Sequence, residues 1–210
     1  LLLAMLVVTP VLAADVGTAS VITKTSTADI AIKIAIGDSK ELSLKPILSL
    51  SKNDATIKTS LQTAESSTAS DTADKTVWDG TKTTLNLYEY SKGSREAPDG
   101  GYEYEVILKS KPATNTLTFN LDTKNLVAYY QPPLNEERPG IKGCNATSCE
   151  NATRPENIVG SYAFYTPEGK KVFHLYRPLI TDAKGNKIWG ALNITGSTMT
   201  ITIEQAWLDK

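Results

Sequence analysis

Two stretches of alternating residues decide the fold, GYEYEVILKSKPATNTLTFN at residues 101–120 and TMTITIE at residues 198–204. One parity is apolar and consists of Tyr102, Tyr104, Val106, Leu108, Leu117, Phe119, Met199, Ile201 and Ile203. The other parity carries mainly Glu, Lys, Thr and Asn. Side chains of a β-strand point to opposite faces with a period of two residues, so these stretches predict antiparallel strands with one buried and one solvated face.

Further short strands, with turn residues between them, are predicted along the rest of the chain. The clearest candidates are residues 30–36, 55–61, 83–90, 126–130, 160–165, 172–176 and 188–194. Turns are predicted at Pro167-Glu168-Gly169 and at Thr195-Gly196-Ser197. No window has the i, i+3, i+4, i+7 apolar spacing of an amphipathic helix. We therefore predict an all-β fold, an antiparallel β-sandwich.

The first thirteen residues, LLLAMLVVTPVLA, have the composition of a secretory signal peptide. An apolar run ends in small residues, with Val11 and Ala13 at the −3 and −1 positions of a cleavage site before Ala14. The run is too short for a membrane span, which needs about 20 apolar residues. The alternative is a buried strand, which has a similar apolar run. We predict that residues 1–13 direct export, so that the protein is secreted or lies at the cell surface.

Composition divides the remainder of the chain into three parts. Residues 14–65 hold N-terminal strands, which either begin the sandwich or form a small separate β-unit. Residues 66–76 end a Ser- and Thr-rich block that predicts a linker or loop, because its apolar surface is too small to offset the entropy of ordering. Residues 77–210 form the β-sandwich module. The net charge is −1, with acidic and basic residues interspersed, which argues against nucleic acid and anionic membranes as partners.

Residues that catalysis or metal binding would use occur singly or in pairs. His174 is the only histidine and no Gly-x-Ser-x-Gly motif occurs, which favours a packed or hydrogen-bonded sheet histidine. Glu103 and Glu105 lie about 7 Å apart on one strand face, a spacing that a glycosidase can use. Their position on the predicted wet face favours ordinary surface carboxylates. Residues 182–186 lack the alternating oxygen ligands of a calcium loop and predict a β-turn, and no pattern indicates a metal or a cofactor.

Three aromatic residues are candidates for ligand binding. Tyr129, Tyr130 and Trp189 would form an aromatic platform for a sugar or a peptide if their rings are exposed. The alternative is packing in the core or at strand ends, since aromatic residues are common in strands for that reason alone.

The loop around residue 147 carries two cysteines and two of three glycosylation sequons. Cys144 and Cys149 enclose four residues, and the oxidising compartment that export implies predicts a disulfide between them. A disulfide that closes so short a loop would stabilise the fold by under about 3 kcal/mol, so this bond would mainly fix a surface loop. The sequons begin at Asn145, Asn151 and Asn193.

Several short motifs, taken in their order and spacing, resemble a known module. They are GYEYEVILKSKP at 101–112, LTFNL at 117–121, KVFH at 171–174, DAKGN at 182–186, MTITI at 199–203 and Trp207-Leu208. Over residues 77–210 the chain resembles a β-sandwich module found ahead of YD-repeat regions in secreted bacterial wall-associated and polymorphic-toxin-like proteins, and in metagenomic surface proteins. The resemblance implies a further Tyr-Pro-Val strand after Lys210 and assigns no catalytic residue. The cysteine loop lies outside the pattern.

These features favour a non-enzymatic extracellular module, structural or adhesive, within a larger secreted or surface protein. Its expected partners are a glycan or a surface protein, together with other domains of the same chain. The first alternative is a carbohydrate-binding module that uses Tyr129, Tyr130 and Trp189. The second is a glycoside hydrolase that uses Glu103 and Glu105, which would require a shielded cleft to shift the pKa values of those carboxyls.

Overall fold

The structure, a computed structural model, describes residues 2–8, 21–25, 30–36, 46–62, 67–72, 75–90, 101–134 and 154–210. Within these ranges the chain forms two antiparallel β-sheets and one short helix, α1 (Gln205–Leu208). Cys144, Cys149, Asn145 and Asn151 lie outside the described residues. The predicted disulfide and the first two sequons therefore stay predictions.

The larger sheet has ten strands within the described part of the chain. Eight follow one path, in the order β11 (Val127–Gln131), β12 (Ser161–Tyr165), β13 (Lys171–Leu175), β1 (Leu2–Val8), β9 (Gly101–Leu108), β8 (Thr83–Tyr90), β7 (Lys75–Asp79) and β6 (Thr68–Asp71). Two more complete the sheet beside β1, since β14 (Leu179–Thr181) pairs with β1 and β15 (Lys187–Trp189) pairs with β14.

The smaller sheet has seven strands among the described residues. Their order is β16 (Ala191–Thr195), β17 (Thr198–Thr202), β10 (Thr116–Lys124), β5 (Ala55–Leu61), β4 (Pro46–Lys52), β3 (Ile30–Ile36) and β2 (Val21–Thr25). The predicted all-β antiparallel fold is thereby confirmed, and the two alternating stretches of the sequence supply β9, β10 and β17.

The two sheets meet through the apolar parity that the sequence predicts. Tyr104 of β9 and Phe119 of β10 contact each other edge to face across the interface, with ring centroids 6.5 Å apart. The large side chains that are fully buried in the core are Trp78, Tyr102, Tyr104, Phe119, Phe164, Phe173, Leu48 and Leu50. Burial of this aromatic and aliphatic surface is the main favourable contribution to folding.

The N-terminal strands belong to the same sheet as the C-terminal module. β5 pairs with β10 over six residue pairs, so β2 to β5 extend the smaller sheet.

The Ser- and Thr-rich block is more ordered than its composition predicts. β6 and the beginning of β7 lie within residues 66–76, and the prediction of a linker or loop is wrong for these positions. Pairing of β6 with β7 supplies the hydrogen bonds that local composition does not reveal.

Leu2–Val8, within the predicted signal peptide, forms β1 in the middle of the larger sheet. One edge of β1 pairs with β9 and the other pairs with β13 and β14. The arrangement is that of the alternative interpretation, a strand inside the fold. Removal of residues 1–13 on export stays a prediction.

The chain crosses between the sheets at Gly190, so the prediction of one strand over 188–194 is wrong. β15 ends at Trp189 in the larger sheet, and β16 begins at Ala191 in the smaller one. A Cβ atom on Gly190 would lie 3.0 Å from Ile180 Cδ1 and 3.1 Å from Pro178 Cγ. A side chain at this position would therefore crowd Ile180 and Pro178, which would have to shift by a few tenths of an ångström.

The helical content of the described chain is small. α1 has four residues, and within the described ranges no helix has the length and apolar character that crossing a bilayer requires.

Phe119→Ala should lower the free energy of unfolding by about 3 to 5 kcal/mol, because it removes a fully buried ring at the interface between the sheets. The matched control is Asn120→Ala, which alters the neighbouring exposed side chain and should cost less than about 1 kcal/mol. Urea denaturation of the full chain measures both. Equal losses from the two substitutions would contradict the face assignment of β10.

Candidate functional site

Paired carboxylates lie on the face of the larger sheet that points away from the core. β8 and β9 pair so that Asn86 is opposite Glu105 and Tyr88 is opposite Glu103. Paired residues of an antiparallel ladder share a face. Because Tyr102 and Tyr104 are buried between the sheets, Glu103 and Glu105 lie on the other side.

Both carboxylates accept hydrogen bonds on the outer face that the sequence predicts, but this face is less solvated at their positions than the sequence predicts. Asn86 Nδ2 donates to Glu105 Oε2 over 2.5 Å, and Tyr88 Oη donates to the same oxygen over 3.3 Å. Tyr90 Oη donates to Glu103 Oε2. Glu105 is 8 % exposed, so the expectation of a solvated surface carboxylate is wrong for this residue, whereas Glu103 is half-buried. The hydrogen-bond donors come from β8. The alternation of residues in β9 alone does not predict the register between β8 and β9.

Burial changes the acid–base properties of this pair. Desolvation raises the pKa of the Glu103 carboxyl, and the nearby charge of Glu105 raises it further, while the hydrogen bond from Tyr90 lowers it. A carboxyl with a raised pKa beside a second carboxylate is what a glycoside hydrolase needs. In this structure, however, both groups are already held by side chains of β8. The arrangement resembles a structural polar network, which fixes neighbouring strands in register.

A second polar pair, Ser161 with His174, is buried on β12 and β13. Ser161 Oγ and His174 Nε2 are 2.7 Å apart. His174 is 6 % exposed, Ser161 is fully buried, and the Tyr176 ring lies 4.5 Å from the imidazole. This agrees with the prediction of a packed, hydrogen-bonded histidine. The partner Ser161 was not predicted from the sequence, because only the β12–β13 hairpin register brings residues thirteen positions apart together.

The Ser161–His174 pair lacks the third member of a catalytic triad in the described part of the chain. His174 Nδ1 is buried and has no hydrogen-bond partner there, whereas a triad places a carboxylate at this nitrogen. Burial, together with the positive charges of Lys171 and Arg154, lowers the pKa of His174 to about 4. The imidazole is therefore neutral at physiological pH.

The three aromatic binding candidates lie in two separate places. Tyr129 and Tyr130 are 52 % and 41 % exposed on β11, at the edge of the larger sheet. Tyr129 contacts Tyr165 edge to face, and Tyr130 contacts Tyr162 in the same way, each with ring centroids 5.4 Å apart. As consecutive residues of a strand they point to opposite faces. Both rings are accessible, but they do not form one platform.

Trp189 does not join the two tyrosines. It lies on β15, where its indole N–H donates to Glu156 over 3.0 Å. The Arg177 guanidinium lies 5.7 Å from the centre of its ring. The ring is half-buried and its polar atom and one face have protein partners, which favours the packing interpretation for Trp189.

The turn at residues 182–186 is confirmed. Asp182 Oδ1 accepts hydrogen bonds from the backbone N–H groups of Lys184 and Asn186, and Gly185 has a φ of 85°. The hydrogen bond from the Asn186 side chain is the largest of the effects that lower the pKa of Asp182. Within the described ranges, no group of three or more His, Cys, Asp or Glu side chains is placed to hold a metal ion.

An open cleft of about 700 Å³ lies between the β9–β10 turn, the turn at 182–186 and α1. Lysines line it, and two of them have acidic partners. Lys109 pairs with Asp79 over 2.8 Å, and Lys111 pairs with Asp209 over 2.7 Å. These exposed ion pairs offset part of the positive charge of the cleft.

Asn193 is the one sequon asparagine that the structure describes. It lies exposed on β16, and its Nδ2 atom donates to Thr195 Oγ1 of the same sequon over 3.1 Å. The side chain is accessible for modification, and glycosylation itself stays a prediction.

Comparison of the chain with models of protein families, with curated proteins and with solved structures found no match.

The pKa of His174 predicts a dependence of stability on pH. The unfolded chain binds a proton at this histidine below about pH 6.5, whereas the folded chain resists protonation until about pH 4. Stability that depends on the neutral imidazole is therefore present above pH 6.5 and falls between pH 6.5 and 4, by about 3 kcal/mol at most.

His174→Gln removes this titration and keeps a polar group near Ser161. Relative to His174→Gln, the unmodified chain should lose unfolding free energy as the pH falls from 7 to 4. Denaturant unfolding at a series of pH values measures the difference. Parallel curves for the two proteins over this window would show that His174 does not titrate as described.

Proposed function

We propose that this chain is a non-enzymatic extracellular module with a structural or adhesive role within a larger secreted or surface protein. The observation that best supports the proposal is that the buried polar residues make hydrogen bonds within the sheet. His174 binds Ser161 inside the sheet, and Glu105 binds Asn86 and Tyr88. Groups that would perform chemistry in an enzyme make hydrogen bonds between neighbouring strands here, and buried hydrogen bonds of this kind favour one arrangement of the strands.

The outer face of the smaller sheet supports the same proposal. Thr116 pairs with Thr202 and Thr118 pairs with Thr200, so threonines form a partly exposed polar row across β10 and β17. Cross-strand threonine pairs stabilise a sheet while presenting hydroxyl groups to water. A face of this kind suits a module that is surrounded by solvent or that adheres through hydrogen bonds.

Export, and the location outside the cell, rest on the composition of residues 1–13. A signal-peptide run followed by small residues supports secretion. The expected partners are a glycan or a surface protein, and other domains of the same polypeptide.

The chain, expressed in a bacterial host with a C-terminal epitope tag, should be recovered outside the cytoplasm with Ala14 as its first residue. Cell fractionation followed by N-terminal sequencing measures this. A tagged product that stays in the cytoplasm with residues 1–13 attached would contradict the extracellular part. Sugar release from a panel of glycosides that disappears in Glu103→Gln would contradict the non-enzymatic part.

The second candidate is carbohydrate binding, and the exposure of Tyr129 and Tyr130 favours it. Each ring is exposed on the edge strand β11, and aromatic side chains with one accessible face bind sugars by stacking. Their opposite orientation predicts two independent contacts along the β11 edge.

A glycan array probed with the purified protein tests this candidate. If it is right, Tyr129→Ala and Tyr130→Ala each weaken binding at least several-fold. Val127→Ala, an exposed apolar residue of the same strand without an aromatic ring, leaves binding unchanged. A blank array, or equal effects of all three substitutions, would exclude sugar stacking at this edge.

A further inference from the structure

The position of β1 has a consequence for the exported form of the protein. Six consecutive residue pairs join β1 to β9, from Leu2 with Ile107 to Val7 with Tyr102. On its other edge, β1 pairs with β14 at residues 2–4 and with β13 at residues 7–8. The segment that we propose is removed on export is therefore a strand in the interior of a sheet.

Removal of residues 1–13 would leave two strand edges without a partner. The β9 edge covers residues 102–107, and the opposing edge is formed by β13 and β14. The strand that loses its partner carries Tyr102, Tyr104 and Val106, which are among the most buried residues of the core. Unpaired backbone groups beside a core are costly, and a row of them is a template for another strand.

The register defines which residues fit this gap. Positions paired with Tyr102, Tyr104 and Val106 lie on the core face and require apolar residues; β1 has Val7, Met5 and Leu3 there. The intervening positions are paired with Glu103 and Glu105.

The residue types that β1 supplies at those intervening positions are poorly matched to carboxylates. Leu6 is paired with Glu103 and Ala4 is paired with Glu105. Neither residue type has a hydrogen-bond donor or a positive charge. Residues directly opposite each other in an antiparallel pair have Cβ atoms about 5 Å apart, and opposite charges at such positions stabilise the pair. A segment with Lys or Arg at these two positions matches this edge better than Leu2–Val8 does.

We propose that the exported chain has a strand-acceptor site between β9 and β13–β14, which is occupied by an extended segment of a partner polypeptide. The segment runs antiparallel to β9 and alternates apolar residues, which complete the core, with Lys or Arg residues opposite Glu103 and Glu105. This inference rests on the proposed export. It identifies the partner as a donor of one β-strand, bound through backbone hydrogen bonds along both edges of the gap.

Peptide binding to the full chain tests the site. Met5→Pro removes a backbone donor in the middle of β1 and disfavours its pairing, which frees the gap. The probe is a fluorescent peptide with the sequence of residues 2–8 and Lys in place of Ala4 and Leu6. The control peptide has the same composition with the pattern shifted by one residue. The Met5→Pro chain should bind the probe at least tenfold more tightly than the control peptide, and adding Glu103→Gln should weaken probe binding several-fold.

Several results would overturn the proposal. These are an absence of saturable probe binding by the folded Met5→Pro chain, equal binding of the two peptides, and a dimer of the Met5→Pro chain that excludes the probe. The last result would show that a second copy fills the gap.

A second measurement keeps the proposal testable if Met5→Pro prevents folding. In the otherwise unmodified full chain, Leu6→Lys should raise the midpoint of thermal unfolding, whereas Met5→Lys, at a core-facing position, should lower it. A lower midpoint for both variants would show that a cation opposite Glu103 does not stabilise the strand pairing, which would contradict the proposal. N-terminal sequencing of the exported product tests the proposed export separately. Retention of residues 1–13 would contradict removal of the segment on export, whereas the peptide experiments test whether the gap beside β9 prefers Lys opposite Glu103 and Glu105.

Discussion

The pairing of β9 along both of its edges is the constraint on which the rest of the structure depends. β8 pairs with one edge and β1 with the other, and the core-facing side chains of β9 meet β10 through the Tyr104–Phe119 contact. Backbone groups this close to the core must be hydrogen-bonded, because leaving them unpaired costs about as much as a lost hydrogen bond for each group. Whatever lies beside β9 therefore governs whether the larger sheet is continuous.

The same strand relates the fold to the function. Its second face carries Glu103 and Glu105, which β8 holds through Asn86, Tyr88 and Tyr90. Because these donors hold the carboxylates, the pair contributes to strand register and, on the side of β1, offers negative charge to a neighbouring strand. We propose that a module built in this way recognises partners by adding backbone pairing to the edges of a sheet.

Strong local periodicity made β5, β9, β10 and β17 predictable, because strict alternation of apolar and polar residues is typical of a strand with one face against a core. What the sequence did not reveal depends on contacts between distant residues. β6 has a composition typical of a loop but pairs with β7. The apolar run at 188–194 is divided between two sheets at Gly190, where Ile180 and Pro178 lie close to the backbone. The Ser161–His174 pair and the burial of Glu105 likewise follow from the register of neighbouring strands, which one strand's pattern does not contain.

Hydrogen exchange along β9 tests the central claim most directly. Backbone amides of residues 102–107 are compared between the full chain and the exported chain without a partner, with β10 (Thr116–Lys124) as an internal reference. Both strands should be protected in the full chain, whereas in the exported chain β9 should exchange faster while β10 stays protected. Addition of the lysine-bearing peptide should restore the protection of β9. Equal protection of β9 in a full chain and in an exported chain that begins at Ala14 would contradict the account.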